Sequence, residues 1–352
     1  MIYPRNMVRT VLLPVLCFLV FGFCRAEVYA TTVAKVIDRS GSQVALPDRR
    51  DRILVTCYGG ASHEIALLGG AARIIGHPSM DRFPLLLKIF PGLVGKPDAG
   101  SFDNVNIEFA MTLKPDLVVA SVTSTRTNER IKNLGIPVVT VGTGRTNVEL
   151  LLQEFAMMGE VLGAEARAAE LIAFWRDRLD LIQRRTAHLT EAQRKKVYYC
   201  SAGSPMKTEG SVVKNEGNLG WGENFIIAAG GNNVAAAMKN DGIVTAELLM
   251  LWNPDVIVTG IKKIGSQGDR MEEITKLKSL TAVRNGAVHS CPIGAFWWDR
   301  PSPEAVLGIL WLARILYPNF FADVDMRRES KEFYRKFYRY SLTDEEYESF
   351  VE

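Results

Sequence analysis

From Asn147 to His188 apolar residues recur in steps of three and four, at Leu151, Phe155, Met158, Leu162, Ala166, Ala169, Ile172, Trp175, Leu179 and Ile182. That is the period of one apolar helix face. Gly159 and Gly163 leave open whether the helix is continuous, kinked or split. Even its glycine-free part, Ala164 to His188, would span roughly 36 Å at 1.5 Å per residue, about the diameter of a small domain. The pattern therefore predicts a helix that crosses between two domains.

A short motif stands on each side of it. Upstream the chain reads Val105-Asn-Ile-Glu108-Phe-Ala-Met-Thr-Leu-Lys-Pro115-Asp116-Leu-Val-Val-Ala-Ser121. Downstream it reads Val244-Thr-Ala-Glu247-Leu-Leu-Met-Leu-Trp-Asn-Pro254-Asp255-Val-Ile-Val-Thr-Gly260. Glu, Met, Pro, Asp and the apolar run match without a gap. Each copy predicts a short helix, a Pro-Asp turn and a buried parallel strand, and together they predict a duplicated lobe.

Residues 1–30 carry Arg5 and Arg9, the apolar run Val11 to Phe23, then Ala26 and Ala30. A run that short falls below the ~20 residues of a membrane span and has the layout of a cleavable secretory signal. Bulky Phe23 before Cys24 argues against a lipoprotein signal. Removal of Arg5, Arg9, Arg25 and Glu27 with that segment leaves 39 basic and 38 acidic residues. Near-neutral charge offers no field for nucleic acid or anionic lipid. Cys57, Cys200 and Cys291 are too few and scattered for a disulfide framework and read as buried thiols. The remaining ~320 residues exceed one comfortable core.

Taken in order, a hairpin is expected around Asp38-Arg39-Ser40-Gly41, then strands at Ile53–Thr56, Arg73–Gly76, Leu117–Ala120 and Val138–Val141 alternating with helices near Ser62–Leu68 and Asn128–Leu134. The alternation resumes with Val197–Cys200, a helix from Glu223, the second motif copy and Ala287–Ser290. A helix from about Pro303, N-capped by Ser302, and amphipathic helices from Lys331 to Phe350 close the chain. The expected fold is α/β, with two lobes of mainly parallel sheet joined by one long rigid helix. The boundaries are a signal at 1–30, lobes at 31–146 and 189–352, and the connecting helix at 147–188. Ligand-facing loops then follow the strands' carboxyl ends, at Tyr58, His77, Ser121, Gly142, Ser201, Gly260 and Pro292.

The hairpin leading into Arg52-Ile53, the paired Glu108 and Glu247 ahead of Pro-Asp strands, the central helix and the export signal together resemble the helical-backbone (class III) periplasmic binding proteins. These serve ABC importers of iron-siderophores, haem and cobalamin. The resemblance covers residues 33–352. It implies ligand capture between two lobes, a monomer in the periplasm, and docking through Glu108 and Glu247 onto arginines of a permease driven by its ATPase. Otherwise the two glutamates are solvated first-turn carboxylates favoured by the helix dipole.

No Ser-His-Asp grouping, phosphate-cradling loop or set of closely spaced histidines suggests catalysis or a resident metal or cofactor. His63, His77, His188 and His289 lie singly. A metal chelate instead needs aromatic walls and cationic side chains. The loops offer Tyr58, Thr123, Ser124, Arg126, Arg145, Met206, Lys207, Trp221, Lys262, Lys263 and Phe296-Trp297-Trp298-Asp299-Arg300. The candidate ligand contacts are Tyr58, Arg126, Arg145, Lys207, Trp221, Trp297, Trp298 and Arg300. The tryptophan pair could equally seal the second lobe, and Arg300 could pair with Asp299 or Glu304. The expected cargo is a metal chelate, a ferric siderophore first, with haem, cobalamin, a bare metal ion or a chelatase-like activity as alternatives.

Overall fold

The duplicated motif folds the same way twice in the computed structural model, which describes Met1 and residues 34–58, 60–200, 220–238, 244–260 and 277–351. In the first copy Asn106 caps helix α3 (Ile107–Thr112) by accepting the Phe109 N–H; in the second Thr245 caps α8 (Ala246–Trp252) by accepting that of Leu248. The residue before each proline, Lys114 or Asn253, is left-handed (φ 48° and 41°) and turns the chain into the strand. Each Asp then fixes the neighbouring strand. Asp116 Oδ2 accepts the Arg52 N–H at 3.1 Å, and Asp255 Oδ2 accepts that of Lys196 at 2.8 Å.

These contacts seed two four-stranded sheets, parallel throughout. The first orders β4 (Ile74–Gly76), β3 (Ile53–Val55), β5 (Leu117–Ser121) and β6 (Val138–Val141) side by side. The second orders β8 (Asn232–Asn233), β7 (Lys196–Cys200), β9 (Val256–Thr259) and β10 (Val288–Ser290). Counted within its own lobe, each runs second, first, third, fourth strand. The motif feeds the third strand both times, so the two lobes share one topology. The expected hairpin forms from β1 (Lys35–Ile37) and β2 (Gln43–Ala45), and buried Asp38 ties it to β6 by accepting the Thr140 N–H at 3.0 Å.

The long helix is not continuous. Gly163 adopts φ 64°, ψ 40° and splits it into α5 (Val148–Leu162) and α6 (Glu165–Thr186). The halves fold back on each other: Gly159 meets Ala168, Phe155 packs edge-on to Trp175 at 5.8 Å, and Arg176 reaches Glu149 at 3.2 Å. The break resets the helical phase. Ala166 and Ala169 are exposed, and Ala168, Leu171, Phe174, Trp175 and Ile182 are buried. Connection between lobes falls to α6 alone, 22 residues long, or about 33 Å at 1.5 Å per residue. Near its start Arg167 bonds the Leu67 carbonyl of the first lobe, and further on Trp175 Nε1 donates to the Pro303 carbonyl of the second at 3.0 Å.

The last third of the chain also departs from expectation in one place. Helix α10 (Ala305–Leu316) begins after Glu304, and the Ser302 hydroxyl reaches the Trp297 carbonyl instead of capping it. The carboxyl-terminal segments, α11 (Met326–Phe333), a π turn at Tyr334–Tyr338 and α12 (Asp344–Val351), insert Phe333, Tyr334, Phe337, Tyr338 and Phe350 into the core. They also reach the first lobe, where Lys88 meets Glu346 at 2.8 Å. Cys57, Cys200 and Cys291 are buried free thiols. Among the described residues no helix is long and apolar enough to cross a membrane. The expected signal lies outside those residues.

Candidate functional site

At the carboxyl end of β3 the chain turns through Tyr58 into α1 (Ala61–Ile65), with Gly60 at φ 92°. A Cβ on Gly60 would lie 3.2 Å from the Pro301 carbonyl and 3.2 Å from Ser302 Cβ, so glycine lets the second lobe's 296–302 loop rest on the first lobe. Beyond β4 the loop Pro78–Phe83 closes another wall. Cys57, Tyr58, Ser62, Met80, Arg82, Phe83, Phe296 and Trp297 surround the cleft, which retains a cavity of about 10 Å³, room for a single water.

Aromatic rings form its sides. Phe83 lies 4.6 Å from Phe296 and edge-on to Trp297 at 4.8 Å, while Tyr58, 41% exposed, faces Phe102 at 6.0 Å. The Arg82 guanidinium lies 5.5 Å from the Trp297 ring centroid, a cation–π contact that fixes a positive charge at the cleft. Arg82, Phe83 and Met80 were not among the residues the sequence pointed to. Their signal is in the sequence: the strand Arg73–Gly76 predicts a ligand-facing loop at His77, and Phe83-Pro84 marks the helix that ends it.

The other sequence candidates distribute unevenly. Tyr58 and Trp297 come together at the cleft. Trp298 does not: it is fully buried, and its Nε1 donates to Glu304 Oε2 at 2.9 Å. Trp221, at the start of α7 (Trp221–Ala228), is also buried, with its indole N–H unpartnered among the described residues. Arg145 is exposed in the loop after β6, and its backbone bridges to Gly220 of the second lobe. Arg126 is exposed on the first turn of α4 (Thr125–Asn133). Arg300 lies 4.0 Å from buried Asp299, whose Oδ2 accepts the Tyr199 hydroxyl at 2.7 Å. Met206, Lys207, Lys262 and Lys263 lie outside the described residues.

Behind the cleft the first lobe buries two carboxyls. Glu154 accepts the Gly142 N–H at 2.6 Å and lies 3.6 Å from Arg39 Nε. Burial nonetheless raises its pKa to about 7, and burial together with the Glu154 charge raises that of Glu64 well above the usual carboxylate range. His63 is buried, His77 bonds the Pro78 and Leu93 carbonyls, His188 packs on Phe320 and His289 on Trp311. Among the described residues no three His, Cys, Asp or Glu side chains gather as a metal set.

Two α/β lobes of one topology, spanned by a single helix and meeting at a narrow cleft at their strands' carboxyl ends, have the architecture of a two-lobed solute receptor. The chain belongs to the periplasmic binding protein family, whose model matches residues 55–293. It is similar to the molybdate-binding protein MolA of Haemophilus influenzae, at 28% identity over 87% of this chain and 91% of that one. An ABC transporter substrate-binding lipoprotein of Bacillus subtilis matches at 24% identity, covering 85% of this chain and 89% of its own. Among solved structures, a periplasmic solute-binding protein from Veillonella parvula superposes with a TM-score of 0.74 at 26% identity, covering 91% of this chain and 97% of that one. Molybdate-bound MolA superposes with a TM-score of 0.74 at 26% identity, covering 88% and 99%. The protein is thus the substrate-binding component of an ABC transporter, the class the sequence resembled.

Proposed function

We propose that this protein captures an anionic metal species between its lobes and hands it to an ABC importer without chemical turnover. The observation that carries the reading is the meeting of Arg82, Tyr58 and Trp297 at one narrow cleft. A guanidinium supplies charge and paired donors for an oxyanion, and the rings exclude water from it. Of the metal species weighed, a compact oxyanion such as molybdate needs the walls of this one-water cavity to part least, in keeping with the similarity to MolA. A ferric siderophore, the cargo expected from the sequence, is the second reading. Four aromatic side chains around the site favour it, and it requires Phe83 and Phe296 to part. Export by the 1–30 signal, a monomeric receptor, and docking through Glu108 and Glu247 complete the proposal.

The test is a titration of tryptophan fluorescence in purified residues 31–352 with molybdate, tungstate, sulfate, ferric siderophores, ferric citrate, haem, cobalamin, nickel and zinc. Saturable quenching by molybdate or tungstate alone supports the oxyanion reading. Response to a ferric siderophore supports the second. Response only to bare nickel or zinc, or only to a neutral ligand, overturns both.

A further inference from the structure

The loop that carries Trp297 is held from behind by a buried carboxyl unrelated to the cleft itself. Glu304 is fully buried, and its Oε2 accepts the Trp298 Nε1–H at 2.9 Å and, more weakly, the Phe296 N–H at 3.4 Å. Its Oε1 accepts the Tyr338 hydroxyl at 2.5 Å. Tyr338 in turn shares a hydrogen bond with His63 Nε2 on α1, the first-lobe helix that lines the cleft. The His63 ring also stacks on Phe296 at 5.2 Å. One chain of hydrogen bonds therefore runs from the first lobe, through the carboxyl-terminal π turn, to the second lobe's cleft loop.

We infer that Glu304 is a positioning residue for the Trp297 loop, and that the chain His63, Tyr338, Glu304 couples this loop to the first lobe by reversing its hydrogen-bond direction when Glu304 gains or loses a proton.

The donor inventory allows two arrangements. With Glu304 ionised, Tyr338 donates to the carboxylate and accepts from His63 Nε2–H. With Glu304 neutral, the proton sits on Oε1, because Oε2 already accepts two N–H groups; Oε1–H then donates to Tyr338, which donates to an unprotonated His63 Nε2. The His63 proton moves to Nδ1, which is buried and has no partner among the described residues. Reversal thus trades an ionised buried carboxyl for an unsatisfied buried N–H. The groups facing Glu304 are Tyr334 and Tyr338 from the π turn, Trp298 and the Phe296 N–H from the loop, and His63 through Tyr338; Glu346 adds its negative charge near Tyr334. No cation pairs with Glu304 among the described residues. Burial accordingly raises Glu304 to about 7 and holds His63 neutral at about 3.

Nitrogen-15 NMR of the histidine rings and backbone amides of ligand-free protein, from pH 5 to 9, tests this without any cargo. In the wild type, His63 should exchange from the Nε2–H to the Nδ1–H tautomer on acidification, with a midpoint near 7, and the Phe296 and Trp297 amides should move at the same midpoint. Glu304→Gln, whose amide can donate to Tyr338 permanently, should fix the Nδ1–H tautomer and abolish the transition. Tyr338→Phe should leave the loop amides titrating while His63 no longer responds. A wild-type His63 that keeps one tautomer overturns the inference. So does a Glu304→Gln protein that titrates unchanged, or a Tyr338→Phe protein in which His63 still follows the loop.

Discussion

At the scale of single residues, charge at the cleft and charge in the core pull in different directions. Arg82 stands at the cleft over Trp297, so its removal should act on binding and leave folding nearly untouched. Arg82→Ala should weaken molybdate binding by about tenfold or more, since a hydrogen bond to a charged group contributes about 1.5–3 kcal/mol. Unchanged affinity at an unchanged melting temperature would remove Arg82 from the site. Glu154 is the opposite case. Burial holds its pKa at about 7 against an ordinary carboxylate value near 4.3. Between those values the native state keeps a proton that the unfolded chain has released, so stability is greatest below the lower value and is lost as pH rises toward 7. Glu64 and Glu304 shift the same way. Glu154→Gln should therefore flatten, without abolishing, the fall in melting temperature from pH 5 to 8, and a steeper fall in the variant would contradict the assignment.

Elements were legible where local chemistry decides them. The Pro-Asp motif announced two strands and two helices because the cap, the left-handed residue and the aspartate all act within a few residues of each other. Asp255→Ala and Asp116→Ala should each lower stability by about 0.5–1.5 kcal/mol, by removing a hydrogen bond to the neighbouring strand's first N–H groups, which water then takes up; loss from only one lobe would show that the copies are not energetically equivalent. The helix was less legible. Its apolar period passes through Gly163 without a gap in sequence, yet the left-handed glycine turns the chain back, and only packing of Gly159 on Ala168 makes the hairpin visible. The cleft shows the same division. Tyr58 and Trp297 follow strand-end logic, whereas Trp298, one residue on, points to the core because its indole N–H finds Glu304. Neighbouring tryptophans look alike in a sequence and diverge once a buried acceptor exists on one side. Gly60→Ala tests the loop contact: a β-carbon at φ 92° against Pro301 and Ser302 should lower stability and weaken cargo binding together.

On the scale of the whole molecule, duplication supplies a reason for two glutamates. Each motif helix leads to the amino end of its strand, as the Asp116 and Asp255 bonds to the neighbouring strand starts require. Its first turn therefore stands toward the carboxyl edge, the side on which the cleft opens. Glu108 and Glu247 are exposed there, and Glu247 is held ionised by its own N–H and the Thr245 hydroxyl. Neither glutamate supports the cleft or the core, so a role in docking separates cleanly from one in binding. Changing both to alanine should leave affinity for the quenching ligand within twofold of wild type while abolishing uptake through the cognate importer. Each single change should retain partial uptake, because the other lobe still engages. A double variant that binds less tightly would make the glutamates part of the receptor, and one that transports normally would leave them as ordinary first-turn carboxylates stabilised by the helix dipole.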